Sequence, residues 1–481
     1  MADQADTIAA TTASDAPPPT APANPSSALP SSSSSSLPSS QRVLLLHAPK
    51  QPYHVTHDYA VPVFVHSREL LVRTRAIGLN PIDWKAPDFN FGLPELPYIA
   101  GRELAGDVTV LNDGASRLQK GDRVLAISTD YRDLRKGAYQ EYVVAWDFNT
   151  VRLPRHMSYE AGATIGVAFV AAVLALGVNL GVDFSSVEDG PDLLRLVRSL
   201  SSIESPLPAD IREECLSGID VSDRARPGDW IAIWGASSTS AHMAIQLARL
   251  AGLRVAAVVD TAKHGLRLAG HNDAFKSFYS HPSSSATPPW QPDLLVDSHD
   301  PERAVTILRS SLGRKLRFAF DTTGRNTATQ LLQALACTPS TKEGEKKAPS
   351  NPPSPPATPR ASDAGAAPGI ESLSLSTTAP STPKSHLVGL TGLPKGAPPP
   401  GGVFHNVPIK LFHEVPDVGE ALSVWLENLL ESGRLIPPVV AGVETGLESV
   451  NAALDRMRAY EISGGRLVVR LEDKRTEELV V

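Results

Sequence analysis

The sequence predicts an α/β fold class: a doubly wound parallel sheet beside a second domain of short strands. Three observations predict it. A strand–turn–helix–strand unit lies near the middle of the chain, several strand-like segments precede it, and a helix and strand near the end belong with the earlier segments. The central unit is Gly228 to Asp260, G-D-W-I-A-I-W-G-A-S-S-T-S-A-H-M-A-I-Q-L-A-R-L-A-G-L-R-V-A-A-V-V-D. Trp230 to Trp234 is the short apolar run a buried parallel strand needs. Gly235 opens a tight turn of small and hydroxylated residues. From Ala241 the pattern is helical, with Ala241, Ile245, Ala248 and Gly252 on one face. Gly252 stands where a helix end favours a left-handed residue, and Val255 to Val259 is a second strand. Such a unit places a pyrophosphate on a helix N-terminus. A βαβ unit with no nucleotide is the alternative, because G-x-G-x-x-G is absent.

Before this unit, Val43 to Leu46, Leu70 to Ala76, Ala105 to Leu111 and Arg123 to Ile127 read as strands bounded by turns. Ala161 to Val182 is 22 residues without a charge. That length suits a membrane span, yet its four glycines and six alanines suit the packed centre of a two-domain enzyme better, and no membrane is expected. Phe184 to Arg226 carries helical spacing at Leu193, Leu194, Val197 and Leu200. After the unit, Asp321-Thr322-Thr323-Gly324 ends one strand of the parallel sheet and His386 to Leu390 forms a later one. Gly446-Leu447-Glu448 opens a helix through Tyr460 with Val450, Ala453, Leu454 and Met457 on one face. Gly464-Gly465 then turns into the strand Arg466 to Leu471.

Composition bounds the function. The 481 residues suffice for two or three domains. A net charge of −7 and a pI near 6.0 give no basic footprint for nucleic acid. The two cysteines, Cys215 and Cys337, exclude a disulfide scaffold and suit a reducing compartment. Residues 1–41 hold no Lys or Arg and no apolar core, so the expectation is a disordered, solvated tail on a cytoplasmic protein. Residues 338–400, rich in Pro, Ser, Ala, Gly and Lys, cannot bury enough surface to offset chain entropy. Together with 277–292 and 184–226 they read as surface excursions from one scaffold.

Upstream of the βαβ unit occur, in order, Asn80-Pro81-Ile82-Asp83-Trp84-Lys85, then Pro97-Tyr98-Ile99-Ala100-Gly101-Arg102-Glu103-Leu104-Ala105-Gly106, then Gly121-Asp122-Arg123-Val124. With the unit that follows, this resembles the medium-chain dehydrogenase/reductase superfamily, in particular its zinc-free quinone reductases and fungal trans-acting enoyl reductases, from about Arg42 to Leu471. The resemblance implies a GroES-like β-barrel catalytic domain with an inserted Rossmann domain. The expected limits are 42–165 for the first part of the barrel, 166–412 for the Rossmann domain, and 413–481 for the return to the catalytic domain. Zinc relatives carry a Cys near Asn80, Gly-His-Glu where this chain has Gly101-Arg102-Glu103, and a Cys-rich lobe. Arg102 cannot ligate zinc and no Cys precedes Cys215, so the three or four converging ligands zinc needs are missing. Glu103 is expected to be structural, paired with Arg102.

Without zinc, hydrogen-bond donors must polarise a substrate carbonyl. That suits reduction of a conjugated C=C: hydride reaches the β-carbon, charge appears on the enolate oxygen and a proton ends on the α-carbon. Lys85 matches the position that lies beside the cofactor in related fungal enoyl reductases and is the leading donor, with Tyr98 a second candidate. The competing reading makes Lys85 a surface lysine, or one that binds the nicotinamide ribose. Candidate cofactor contacts are Asn80, Gly235, Ser237, Ser238, Thr239, Asp260, Lys263, Leu390 and Ser463. Ser237, Ser238 and Thr239 resemble a hydroxyl-rich phosphate turn and, with Lys263, favour NADPH; Asp260 argues for NADH. The substrate is a small molecule or a carrier-bound acyl group, with a polyketide synthase as an implied partner, and the chain is a monomer or homodimer. Two departures, Ala241 at the last turn glycine and Val170 at a pocket hydroxyl (with Thr164 displaced), support a second hypothesis: a catalytically impaired NAD(P)-binding redox sensor or interaction protein.

Overall fold

The computed structural model describes residues 37–115, 117–128, 130, 132–200, 207–270, 290–336 and 383–472. Two sheets organise the chain from Ser40 onward. The first is a six-stranded parallel sheet in the order Leu294–Asp297, Arg254–Val259, Trp230–Trp234, Leu316–Asp321, Ser385–Gly389, Gly402–Asn406. Trp230–Trp234 enters first in the chain but lies third in the sheet. The chain winds outward on one side and then returns to build the other. The switch point therefore falls between Trp230–Trp234 and Leu316–Asp321, where an open α/β sheet opens its ligand crevice.

The second sheet runs Val440–Thr445, Arg466–Arg470, Glu69–Gly78, Glu103–Leu111, Arg123–Ile127, Thr150–Arg152, with Tyr142–Trp146 paired to Glu69–Gly78. The hairpin Ser40–Leu45/His54–Ala60 joins its barrel through bridges Val43 to Gln140 and Leu46 to Tyr98. Arg466–Arg470 pairs antiparallel with Glu69–Gly78. The end of the chain thus completes a sheet begun nearly four hundred residues earlier.

A long apolar helical stretch, Tyr159–Asn179, joins the two. Ser158 caps it by accepting from the Ala161 N–H at 3.1 Å, and it ends in a π turn, Ala175–Asn179. It is apolar and long enough to cross a bilayer, but it is mostly buried inside the fold. It packs against the helix Thr239–Leu250. The helix Pro416–Glu431 ties both layers: Ser423 Oγ donates to the Phe148 carbonyl at 2.8 Å and Trp425 Nε1 to the Val187 carbonyl at 2.8 Å.

Several expectations shift. The dinucleotide helix starts at Thr239, not Ala241, because Ser238 is its N-cap. The C-terminal helix is a 3-10 turn, Leu447–Ser449, followed by Val450–Arg458, and it stops before Tyr460, which is left-handed at φ 57°. The stretch 184–226 is no surface excursion: Phe184, Leu193 and Val197 are fully buried in the main apolar cluster. The strand expected at His386 to Leu390 is present as Ser385–Gly389, fully buried, so the polar stretch 338–400 includes part of the parallel sheet. Residues 1–36, 271–289 and 337–382 lie outside the described residues, so the remaining expectations for the tail and insertions fall there.

Candidate functional site

At the switch point Gly235 takes φ 77°, and a Cβ there would lie 2.3 Å from Thr323 Oγ1 and 2.6 Å from Thr322 Oγ1. Only glycine fits this turn. Thr322 Oγ1 lies 3.0 Å from the Trp234 carbonyl and 3.1 Å from the Gly235 carbonyl, and accepts from Ser238 Oγ at 2.9 Å. Ser238 Oγ also accepts from the Ala241 N–H at 3.1 Å. The Ser238 hydroxyl therefore shapes the turn and caps the helix that opens at the crevice. Ser237, partly exposed, stays on the turn's open side. Ala241 is fully buried in a regular helix, so its methyl group is accommodated in the apolar contact with the central helix.

The barrel reaches this turn through a buried polar chain. Asn80 caps the helix Pro81–Phe89: its backbone N–H donates to Asp83 Oδ2 at 2.7 Å, and its side chain donates to Glu103 Oε1 at 2.9 Å. Glu103 Oε2 accepts from the Val167 N–H at 2.9 Å, at the start of the central helix. The partner that neutralises Glu103 is Arg466, whose Nη1 donates to both Glu103 and Asn80. This corrects the expected pairing with Arg102, which acts electrostatically on Asp83 instead. Arg466 Nη2 continues to Thr239 Oγ1 at 2.7 Å, on the first turn of the dinucleotide helix. Arg466 Nε is buried with no hydrogen-bond partner among the described residues. Burial pushes the Glu103 carboxyl up against the pull of Arg466, and burial drives Asp83 up to about 6.

Lys85, on the helix that Asn80 starts, is half-buried. Its Nζ lies 5.6 Å from the Trp84 ring centre, and it makes no ion pair among the described residues. Tyr98 is placed differently from what a proton donor to substrate requires. It is 3% exposed, in the barrel's apolar cluster, with its backbone paired to Leu46 at 2.9 Å. Leu390 follows the fifth sheet strand, its N–H bonded to the Asp321 carbonyl at 2.9 Å. Val170 is fully buried, and the Thr164 hydroxyl donates to the Ala161 carbonyl at 2.7 Å.

At the end of the second sheet strand, Asp260 caps the helix Thr261–Leu268, accepting from the Lys263 N–H at 3.1 Å. Lys263 Nζ lies 3.5 Å from Asp260 Oδ2, so the residues expected to argue for different cofactors form one pair. Ser463 is engaged with the same helix: its Oγ lies 2.8 Å from His264 Nε2. Beside it, Gly464 takes φ 76°, where a Cβ would sit 2.7 Å from His264 Cε1. Sequence reasoning missed Arg466, Thr322 and Thr323. The run D-T-T-G at a strand end was a usable signal for the threonines; a lone arginine after two glycines was none.

Comparisons agree with this geometry. Residues 66–155 match the alcohol dehydrogenase GroES-like domain. A trans-enoyl reductase of Botryotinia fuckeliana is 30% identical over 221 residues, 45% of this chain and 54% of that protein. The quinone oxidoreductase of Homo sapiens is 34% identical over 120 residues, 25% of this chain and 35% of the relative. The Escherichia coli quinone oxidoreductase, solved with NADPH, superposes with a TM-score of 0.55 at 16% identity, covering 90% of this chain and 100% of that one. Residues 66–155 are an alcohol dehydrogenase GroES-like domain, and the chain as a whole shares the fold of the solved quinone oxidoreductases. Its matches span about half the length of the curated trans-enoyl reductases.

Proposed function

We propose that this chain is an NADPH-dependent oxidoreductase that reduces an activated C=C, in an enoyl thioester or an enone, without zinc. The observation that carries the reading is the chain Asn80–Glu103–Arg466–Thr239, which fastens the start of the Lys85 helix to the first turn of the dinucleotide helix. The turn fits a dinucleotide: Gly235 leaves the space a Cβ would fill, and the buried, unpartnered Nε of Arg466 suits an anion. When bound, the dinucleotide supplies the hydride. Gly235, Ser237 and the N-terminus of Thr239–Leu250 would hold its phosphates, with Arg466 at the first turn of that helix and Leu390, beside Asp321 at the neighbouring strand end, as a further contact. Lys85 donates to the substrate carbonyl oxygen as negative charge collects there. Tyr98 has no part in the chemistry, because the barrel core encloses it. Asn80, near which zinc relatives carry a Cys, and Arg102 and Glu103, which stand at their His-Glu, are engaged with other charged or polar groups, a set that does not suit zinc.

Val170 in the core and the internally bonded Thr164 favour a second reading, a dinucleotide-binding protein with impaired catalysis. A spectrophotometric assay of NADPH oxidation with an enoyl thioester, an enone and a quinone separates the two. Turnover on an enoyl thioester or enone, falling ~10²–10³-fold in Lys85→Met at unchanged NADPH affinity, is the expected result. Tight NADPH binding without oxidation by any of the three substrates would establish the second reading, and quinone turnover alone would move the substrate class to quinones.

A further inference from the structure

Beyond Asp260 and Lys263, a third charged group stands at the end of the second sheet strand, contributed by the neighbouring strand. His299 follows Leu294–Asp297, and its Nδ1 lies 3.0 Å from Asp297 Oδ1 and 3.2 Å from Asp297 Oδ2. Asp297 is itself fixed by Thr261, whose N–H donates to Oδ1 at 3.1 Å and whose hydroxyl donates to it at 2.8 Å. The other imidazole nitrogen, Nε2, points at Asp260 Oδ2 across 3.6 Å. Lys263 Nζ approaches that same oxygen at 3.5 Å, while Asp260 Oδ1 takes the helix cap.

We propose that His299 is a specificity-determining residue for the dinucleotide, holding with Lys263 a paired positive charge over Asp260 that selects a 2′-phosphate over a free ribose hydroxyl. This rests on the NADPH reading above. The argument follows from which nitrogen carries hydrogen. Nδ1 faces a carboxylate and must donate to it. A neutral ring then presents a lone pair to Asp260, and only the imidazolium presents N–H to both carboxylates. The Asp297 hydrogen bond, followed by the charge of Asp260, raises the imidazole pKa, with Lys263 opposing. With the ring protonated, the Asp260 oxygen that would accept a ribose hydroxyl is covered by two cations. A phosphate meets instead two exposed donors, His299 at 61% and Lys263 at 71% side-chain exposure. With the ring neutral, Asp260 regains its acceptor and the discrimination fades. The preference for NADPH is therefore strongest at low pH.

Binding of NADPH, NADH and 2′,5′-ADP to the full chain at pH 6 and pH 8.5, in parent and His299→Gln, tests this. At pH 6 the variant should bind NADPH about tenfold more weakly and NADH more tightly, since Asp260 is released. At pH 8.5 parent and variant should converge. The second ionisation of the 2′-phosphate, near pH 6, is common to both proteins, so their ratio isolates the imidazole. A merely structural histidine would weaken NADPH and NADH alike. An unchanged NADPH-to-NADH ratio in His299→Gln at both pH values, with NADPH still bound, would overturn the proposal and leave the NADPH reading standing. Failure of the parent to bind any of the three ligands would overturn both.

Discussion

Arg466 lies 386 residues from Asn80 and 363 from Glu103 in the chain, yet it hydrogen-bonds both, at 4% exposure beside a carboxylate that is wholly buried. Removing one member of such a pair leaves an uncompensated buried charge, at a cost of about 3–5 kcal/mol. Arg466→Met is therefore expected to lose that much stability in equilibrium denaturation, and Glu103→Gln in the same background to recover part of it. A double variant no more stable than Arg466→Met would mean that the two side chains are not energetically coupled. The candidate residues that the sequence offered sit in local motifs: Gly235, Asn80 and Lys85 all belong to short runs with a recognisable physical purpose. It concealed Arg466 because its partners come from three distant segments. It also hid the capping role of Ser238, because an N-cap serine and a phosphate-binding serine look alike when written as a string.

Among the elements, the strands were the most legible, since Trp230–Trp234 and Arg123–Ile127 are bounded by turns and, after the leading Arg123, apolar throughout. The layer formed by 184–226 was not, because its polar stretches hide three buried anchors. A further anchor of this layer is electrostatic. His386 and His405, on adjacent strands, stack with ring centres 5.2 Å apart, and His405 Nδ1 lies 2.6 Å from Glu214 Oε1. Burial holds His386 down to about 3, His242 to about 3 and His413 to about 4. The unfolded chain binds these protons near pH 6.5, so below that pH it takes up protons the folded state refuses. Stability consequently falls as pH drops from about 6.5 towards 4, by up to about 1.4 kcal/mol per pH unit for each histidine. Asp83, raised to about 6, has the opposite sign and offsets one of the three. Urea unfolding at pH 7 and pH 5 should show the loss, and His386→Phe should reduce it. A midpoint that is flat across this range would contradict the buried neutral histidines.

At the scale of the whole molecule, the two sheets are joined by the central helix, by Pro416–Glu431 and by the Arg466 chain, and the crevice at the switch point lies where these connections meet. Asn80 and Glu103 hold Arg466, Glu103 also caps the central helix, and Arg102 acts on Asp83. A zinc ion would have to displace a guanidinium from a buried carboxylate. The proposed function stands on metal-independent reduction by NADPH. Its most direct test is the rate of NADPH oxidation with an enoyl thioester or enone after exhaustive chelation, alongside elemental analysis of the same sample. Unchanged turnover with no stoichiometric zinc is the predicted result; turnover abolished by the chelator and restored by added zinc would contradict it.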